Sequence, residues 1–230
     1  MSRLEFFTMK VARIIMKLYT IAFTLTAWIV GTASTTRADF FFENTTRIDI
    51  PVLGVANPYP SVISVSGVTG TIGDFSLSLN NLSHDWPDDI GAVVVSPTGR
   101  AVLLFSGAGD DTRARNIFLT FNQNAATEIN REGALVSGTY KPGMQQWAEN
   151  FPAPGPGTNF GFSFQPYLNE NPNGDWRLFV QDSGEGERGF IANGWSVRFT
   201  AVPEPSSIVL LVTASIAIFG MRSISRRHVG

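Results

Sequence analysis

The chain contains no cysteine. Disulfides, thiolate nucleophiles and cysteine-ligated zinc are therefore excluded. Histidine is almost as scarce: His84 and His228 are the two, and His228 falls in a basic terminal tail. A Ser-His-Asp relay thus has one candidate base, His84, and a zinc site built on three or four His or Cys ligands has too few. No apolar run reaches the length of an ordinary membrane span. Leu18–Val30 and Ile208–Met221 hold 13 and 14 residues, short of the roughly 20 that an α-helical span needs. No internal stretch keeps a helical period, and Met144–Asn150 offers a turn or two at most.

The two ends carry much of the positive charge. Residues 1–17 hold Arg3, Lys10, Arg13 and Lys17 against the single acid Glu5. The apolar run to Val30 follows, then small and polar residues to Ala38. A basic start, a short apolar stretch and a small-residue exit predict a secretory signal peptide over residues 1–38, with signal peptidase as its partner. Cleavage after Ala38 suits Thr36 and Ala38, cleavage after Ala33 is the alternative, and Met9 is an alternative start. An uncleaved anchor is the competing reading. At the other end, Val202-Pro203-Glu204-Pro205 precedes the run Ile208–Met221 and the arginines Arg222, Arg226 and Arg227.

Residues 39–201 remain, enough for one domain with a sizeable core. They hold nine basic and 17 acidic residues, a net charge of −8 that the overall −2 conceals. Such a domain repels phosphate backbones, so nucleic acid is not an expected partner. Short β-branched or alternating runs recur between Gly, Pro, Asn and Asp, which predicts an all-β sandwich or barrel. Candidate strands are 47–52, 61–68, 71–80, 91–96, 101–105, 116–121, 159–165, 175–181 and 194–200. Phe75-Ser76-Leu77-Ser78-Leu79 alternates, as in a strand with one buried face. Ala92-Val93-Val94-Val95 is continuously apolar, as in a strand covered on both faces.

Several ordered elements resemble the P domain, also called the homo B domain. Leu82-Ser83-His84-Asp85-Trp86-Pro87-Asp88-Asp89-Ile90 leads into Val93-Val94-Val95-Ser96-Pro97-Thr98-Gly99. Gly138-Thr139-Tyr140-Lys141-Pro142 follows, then Gly174-Asp175-Trp176-Arg177-Leu178, Val180 and Asp182, and finally Gly189 with Gly194-Trp195-Ser196-Val197. The resemblance covers roughly Ser61 to Phe199. It implies a jelly-roll β-sandwich of the kind found C-terminal to the catalytic domain of proprotein convertases and bacterial subtilisin-like proteases, where it stabilises its neighbour. No protease domain is read ahead of it here, so a peptidase label inherited from the family is not expected to apply. The terminal segment 202–230 resembles the PEP-CTERM sorting signal. That implies recognition by an exosortase-type membrane peptidase, a C-terminal transmembrane helix as transient inner-membrane anchor, and delivery to the cell surface, the outer membrane or the exterior. An ordinary C-terminal anchor is the alternative.

Chemistry is thinly signalled. Asp85, Asp88 and Asp89 flank His84, but no nucleophile elbow is present: Gly161-Phe162-Ser163-Phe164 lacks the closing glycine. The P-domain resemblance implies a structural place for His84 at a strand end. Nothing selects a carboxylate pair for glycoside hydrolysis. Calcium suits oxygen-rich loops, and some bacterial P domains bind it there. The candidates are Asp88 and Asp89, with Asp182 and Glu187 in the loop Asp182–Glu187. Where the family often has Gly-Asp-Xaa-Gly, this chain has Gly186-Glu187-Arg188-Gly189; a solvated acidic turn is the alternative. Trp176 and Trp195 fall at core positions of the family. Trp147, beside the Pro-rich stretch 151–157, is the best exposed candidate for a glycan contact.

The expected function is that of an exported, non-catalytic structural or binding module. The runner-up is an accessory component of a secreted subtilisin-like serine protease system, or a very divergent hydrolase within it. A protein that binds extracellular polysaccharide is the third reading.

Overall fold

The computed structural model describes residues 37–203 together with Met16. The expected signal helix, the transmembrane segment and Glu204, Pro205, Arg222, Arg226 and Arg227 of the sorting motif lie outside the described residues. Among the described residues no helix is long and apolar enough to cross a membrane.

The domain is an all-β, two-sheet sandwich. Its strands are β1 (Ala38–Asn44), β2 (Ile48–Ile50), β3 (Gly54–Val55), β4 (Ser61–Val65), β5 (Thr71–His84), β6 (Ile90–Val95) and β7 (Ala101–Ser106). Then come β8 (Ala114–Asn122), β9 (Thr127–Glu128), β10 (Gly138–Lys141), β11 (Met144–Gln145), β12 (Gly174–Asp182), β13 (Gly189–Ile191) and β14 (Trp195–Val202). One sheet runs β1-β14-β5-β8-β10-β9, with β13 between β5 and β2; the other runs β11-β7-β6-β12-β3, with β4 also on β12.

The long strand β5 organises the first sheet. Its opening residues pair with β14, Leu79 opposite Trp195, and its last three pair with β13, His84 opposite Gly189. Between them the register shifts at Asn80-Asn81, where Asn81 adopts a positive φ of 69°. The chain therefore leaves β13 and re-enters as β14 along the same edge of β5. Gly194 makes that corner: its φ is +59°, and a Cβ there would collide with the Asn44 carbonyl.

The inner faces fuse into one core. The predicted alternation is realised, with Phe75, Leu77 and Leu79 buried and Ser76 and Ser78 only partly covered. Phe75 stacks on Trp176 from the opposite sheet, 4.7 Å between centroids, and Tyr167 meets both rings edge-on. Offset and edge-on pairs such as these add to what burial alone contributes. The buried polar ends are satisfied: the Trp176 indole donates to the Pro172 carbonyl, Trp195 to Ser61 Oγ and Tyr167 to the Val94 carbonyl. Trp176 and Trp195 are thus core residues, as expected. All six residues of β6 are buried. Val93 and Val95 face outward, where Phe151, Phe160 and Tyr59 cover them together with Leu103 and Phe179. The second sheet is therefore clad on both faces, as the run 92–95 predicts.

The strand expected over 159–165 does not form. Gly161 makes a single bridge to Val102, after which the chain turns into a short 3-10 helix at Gln165–Tyr167. Ser163 Oγ takes the Gln165 N–H, and Pro166 removes the next donor. The aromatic alternation there serves two layers, Phe160 on the outer cladding and Phe164 in the core.

Candidate functional site

One end of the sandwich gathers the chemically distinctive residues. Strand β5 delivers His84 from the first sheet, and β12 delivers Asp182 from the second. Between β5 and β6 the chain makes a 3-10 turn, Pro87–Asp89, with Pro at its start. The pairing of Asp182 with Ile90 sets β12 against the end of that turn, and the pairing of Gly189 with His84 returns the following loop to β5. Gly189 must be glycine, because a Cβ would collide with the imidazole.

His84 Nε2 lies 2.9 Å from Asp182 Oδ2, with the side chains 0% and 1% exposed. The contact is close but misaligned for a hydrogen bond, and neither atom has another partner. We read it as an electrostatic contact across the sheets. The other ring nitrogen, Nδ1, sits 2.8 Å from the Trp86 carbonyl and 3.2 Å from the Trp86 amide. Asp182 Oδ1 takes the Gly184 N–H at 2.9 Å. His84 is thus a strand-end structural residue, as expected, with its Nδ1 held by the backbone of Trp86. Ser163 has other partners: it donates to Gln123 Oε1 and accepts from Gln165. His84 is the sole histidine among the described residues, and no serine hydroxyl meets it.

The four acids named for calcium separate into distinct roles. Asp182 faces inward to His84. Asp89 lies against Gly184, where a Cβ would strike its carboxylate, and its backbone carbonyl holds the Ser183 amide at 2.9 Å. Burial, aided by the charges of Asp88, Asp182 and Glu187, pushes the Asp89 carboxyl up to about 6 against the weaker pull of His84. Burial likewise raises Asp88, with Asp110 and Asp111 adding to it. Among the described residues no three His, Cys, Asp or Glu side chains converge into a group that could hold a metal ion. These side chains alone do not fit a calcium cage.

Asp85, next to His84, behaves oppositely. A hydrogen bond from Arg115 holds its carboxyl below the usual range. Arg113 lies 3.4 Å away, and Arg115 also donates to the His84 and Ala114 carbonyls.

Trp147 is half exposed, at 49%, as expected of a surface candidate. Its indole edge rests where Gly107 leaves no room for a Cβ, and its carbonyl accepts from Ser106 Oγ at 3.3 Å. Trp86 is nearly as exposed. Below Trp147 lies a feature that sequence reasoning missed, the buried carboxylate of Glu149. It accepts from Ser106 Oγ at 2.7 Å and from the Gln181 amide, and it fills the space that Gly91 leaves open. An acid in a polar loop gives no sign of burial; Gly91 inside an otherwise bulky strand is the one trace of it.

No protein-family model matches the chain. Among curated proteins it is similar to Leupeptin-inactivating enzyme 1 of Streptomyces exfoliatus, 24% identical over 172 residues, which cover 75% of this chain and 29% of that protein. Among solved structures it is similar to a serine protease of Aeromonas sobria, with 13% identity and a TM-score of 0.37 over 75% of this chain and 29% of that one. It is also similar to the complex of that protease with the chaperone ORF2, with 13% identity and a TM-score of 0.35 over 77% and 29%. Superpositions this loose do not define a common fold. The chain spans less than a third of the length of each of these proteins.

Proposed function

We propose that this chain is a non-catalytic accessory β-sandwich of an exported hydrolytic system, acting beside a secreted serine protease. The observation that carries the reading is one of proportion. A segment covering 75% of this chain corresponds to 29% of a longer enzyme, so the likeness has the size of one module within a larger machine. The P-domain resemblance of 61–199 points the same way. The site geometry agrees: the sandwich presents His84 to Asp182 and to its own backbone, not to a nucleophile. What the module can offer a partner is a two-sheet body with one continuous core and a second sheet covered on both faces.

Export belongs to the same proposal. A signal peptide over 1–38 sends the chain out, and the tail 202–230 is the sorting signal that an exosortase-type peptidase reads. Val202 closes β14 opposite Thr71, so the motif begins where the sandwich ends. The mass of the mature protein tests this part: loss of residues beyond the Val202-Pro203-Glu204-Pro205 motif is expected, and a retained tail means anchoring.

The accessory role is tested by mixing the purified chain with a subtilisin-type catalytic domain from its own host that lacks a β-sandwich. A longer catalytic half-life at elevated temperature is expected, with no reaction of the chain itself with a fluorophosphonate probe. Labelling of the chain that Ser163→Ala abolishes would overturn the reading.

A further inference from the structure

The outer surface of the first sheet carries a pocket of about 1060 Å³ between β2, β13 and β5. The loop after β2 makes one wall, with Leu53 and Val55 exposed at 56% and 39%. Its lining includes Arg47, Arg115 and Arg188 against two acids, Asp49 and Asp85. A domain of net charge −8 thus places three of its nine basic residues around one depression.

The three arginines differ in what holds them. Arg47 lies over the Phe190 ring at 3.7 Å and pairs with Asp49 at 2.6 Å. Arg115 is tied to Asp85 and to two backbone carbonyls. Arg188, exposed at the start of β13, has no ion pair or hydrogen bond among the described residues. The pocket therefore combines two anchored guanidiniums, one free guanidinium and an uncovered aliphatic wall.

We propose that this pocket binds the free C-terminus of a peptide ending in an aliphatic residue. A free guanidinium matches a carboxylate through paired, charge-assisted hydrogen bonds. In a C-terminal residue the α-carboxylate and the side chain diverge from one carbon, so the carboxylate reaches Arg188 while the side chain reaches Leu53 and Val55. An Asp or Glu side chain cannot divide in this way, because its carboxylate is its side chain. An acidic glycan fits less well: Phe190, the aromatic ring of the lining, already carries Arg47 over one face, so a sugar stacking there would have to displace it. The inference is independent of the accessory role proposed above.

Fluorescence anisotropy of dansyl-Gly-Val-Leu as free acid and as carboxamide, titrated with the purified chain at low salt, tests it. The acid is expected to bind at least about tenfold tighter than the amide, and added salt should weaken it. Arg188→Ala should weaken the acid about tenfold with no change in melting temperature, since Arg188 is exposed and makes no hydrogen bond or ion pair among the described residues. Leu53→Ser should weaken both ligands. Equal binding of acid and amide, no binding of the acid, an unaffected Arg188→Ala variant, or tighter binding of an oligouronate than of the peptide would each overturn the proposal.

Discussion

His84 and Asp182 meet across the sandwich, one from each sheet, 2.9 Å apart and shielded from water. The contact fastens the two sheets at the end where β5, β6, β12 and β13 converge. Removing one member of such a pair leaves the other polar group buried without compensation, which costs about 1–3 kcal/mol. Asp182→Ala is expected to lower stability by about 2 kcal/mol, and His84→Ala by a similar amount. Urea unfolding monitored by tryptophan fluorescence measures both. A loss within error of zero in either variant would show that the contact holds nothing.

The Asp89 carboxyl sets a pH dependence of defined sign. Its folded value of about 6 lies above the ordinary value of 3.8. Between those values the folded state binds more protons than the unfolded one, so stability falls as pH rises from about 4 to about 6. Above that window the cost of the ionised carboxylate persists. Asp89→Asn should remove it. Because the group is only partly buried and solvent screens it, the expected gain at pH 7.5 is about 1–2 kcal/mol, disappearing near pH 4. Midpoints of urea unfolding at the two pH values give the answer. An Asn variant less stable at pH 7.5 would mean that the carboxylate has an attractive partner there.

Calcium is tested at the same residue. Burial does most to raise Asp89, and the charges of Asp88, Asp182 and Glu187 add to it; a cation drawn to this loop acts by offsetting that cost of the ionised carboxylate. Millimolar calcium is therefore expected to raise the melting temperature by no more than Asp89→Asn does in chelator, and to have no effect on that variant. Thermal scans of both proteins in calcium and in chelator decide it. An equal rise in the variant would place the ion elsewhere.

The periodic parts of this fold were legible in the sequence. Phe75, Leu77 and Leu79 announce a half-buried strand, and the run Ala92–Val95 announces a strand covered on both sides. The continuation of β5 from Asn81 to His84 was not legible, because a bulge at Asn81 breaks the alternation while the pairing goes on. The stretch 159–165 misleads for the opposite reason: its alternation is real, but beyond the Gly161 bridge the edge of β7 is taken by Gly143 and β11. At the site, the strand-end place of His84 was foreseen. Its partner Asp182 reads from sequence as one of the acids of a Gly-rich loop, which looks solvated until a distant strand covers it. Arg188 and Leu53 come together only through the pairing of β13 with β2, which no local pattern encodes.

Glu149 pins the loop after β11 to the second sheet. Its carboxylate is 4% exposed, accepts from Ser106 and Gln181, and has no basic partner among the described residues. Glu149→Ala takes the acceptor from two buried donors; Ser106 keeps the longer contact to the Trp147 carbonyl, whereas the Gln181 amide has no other acceptor among the described residues. The expected cost is about 2–3 kcal/mol. Glu149→Gln keeps the shape but turns one acceptor into a donor facing a donor, so about 1–2 kcal/mol is expected. Gly91→Ala should mimic these losses, because its methyl group would occupy the space of the carboxylate, 2.7 Å from Glu149 Cδ. Urea unfolding gives the magnitudes, and limited proteolysis gives the location: the segment Met144–Gly157 should be cut first in each variant. A Glu149→Gln protein more stable than the parent would reverse the argument, showing that burying the charge costs more than its hydrogen bonds return.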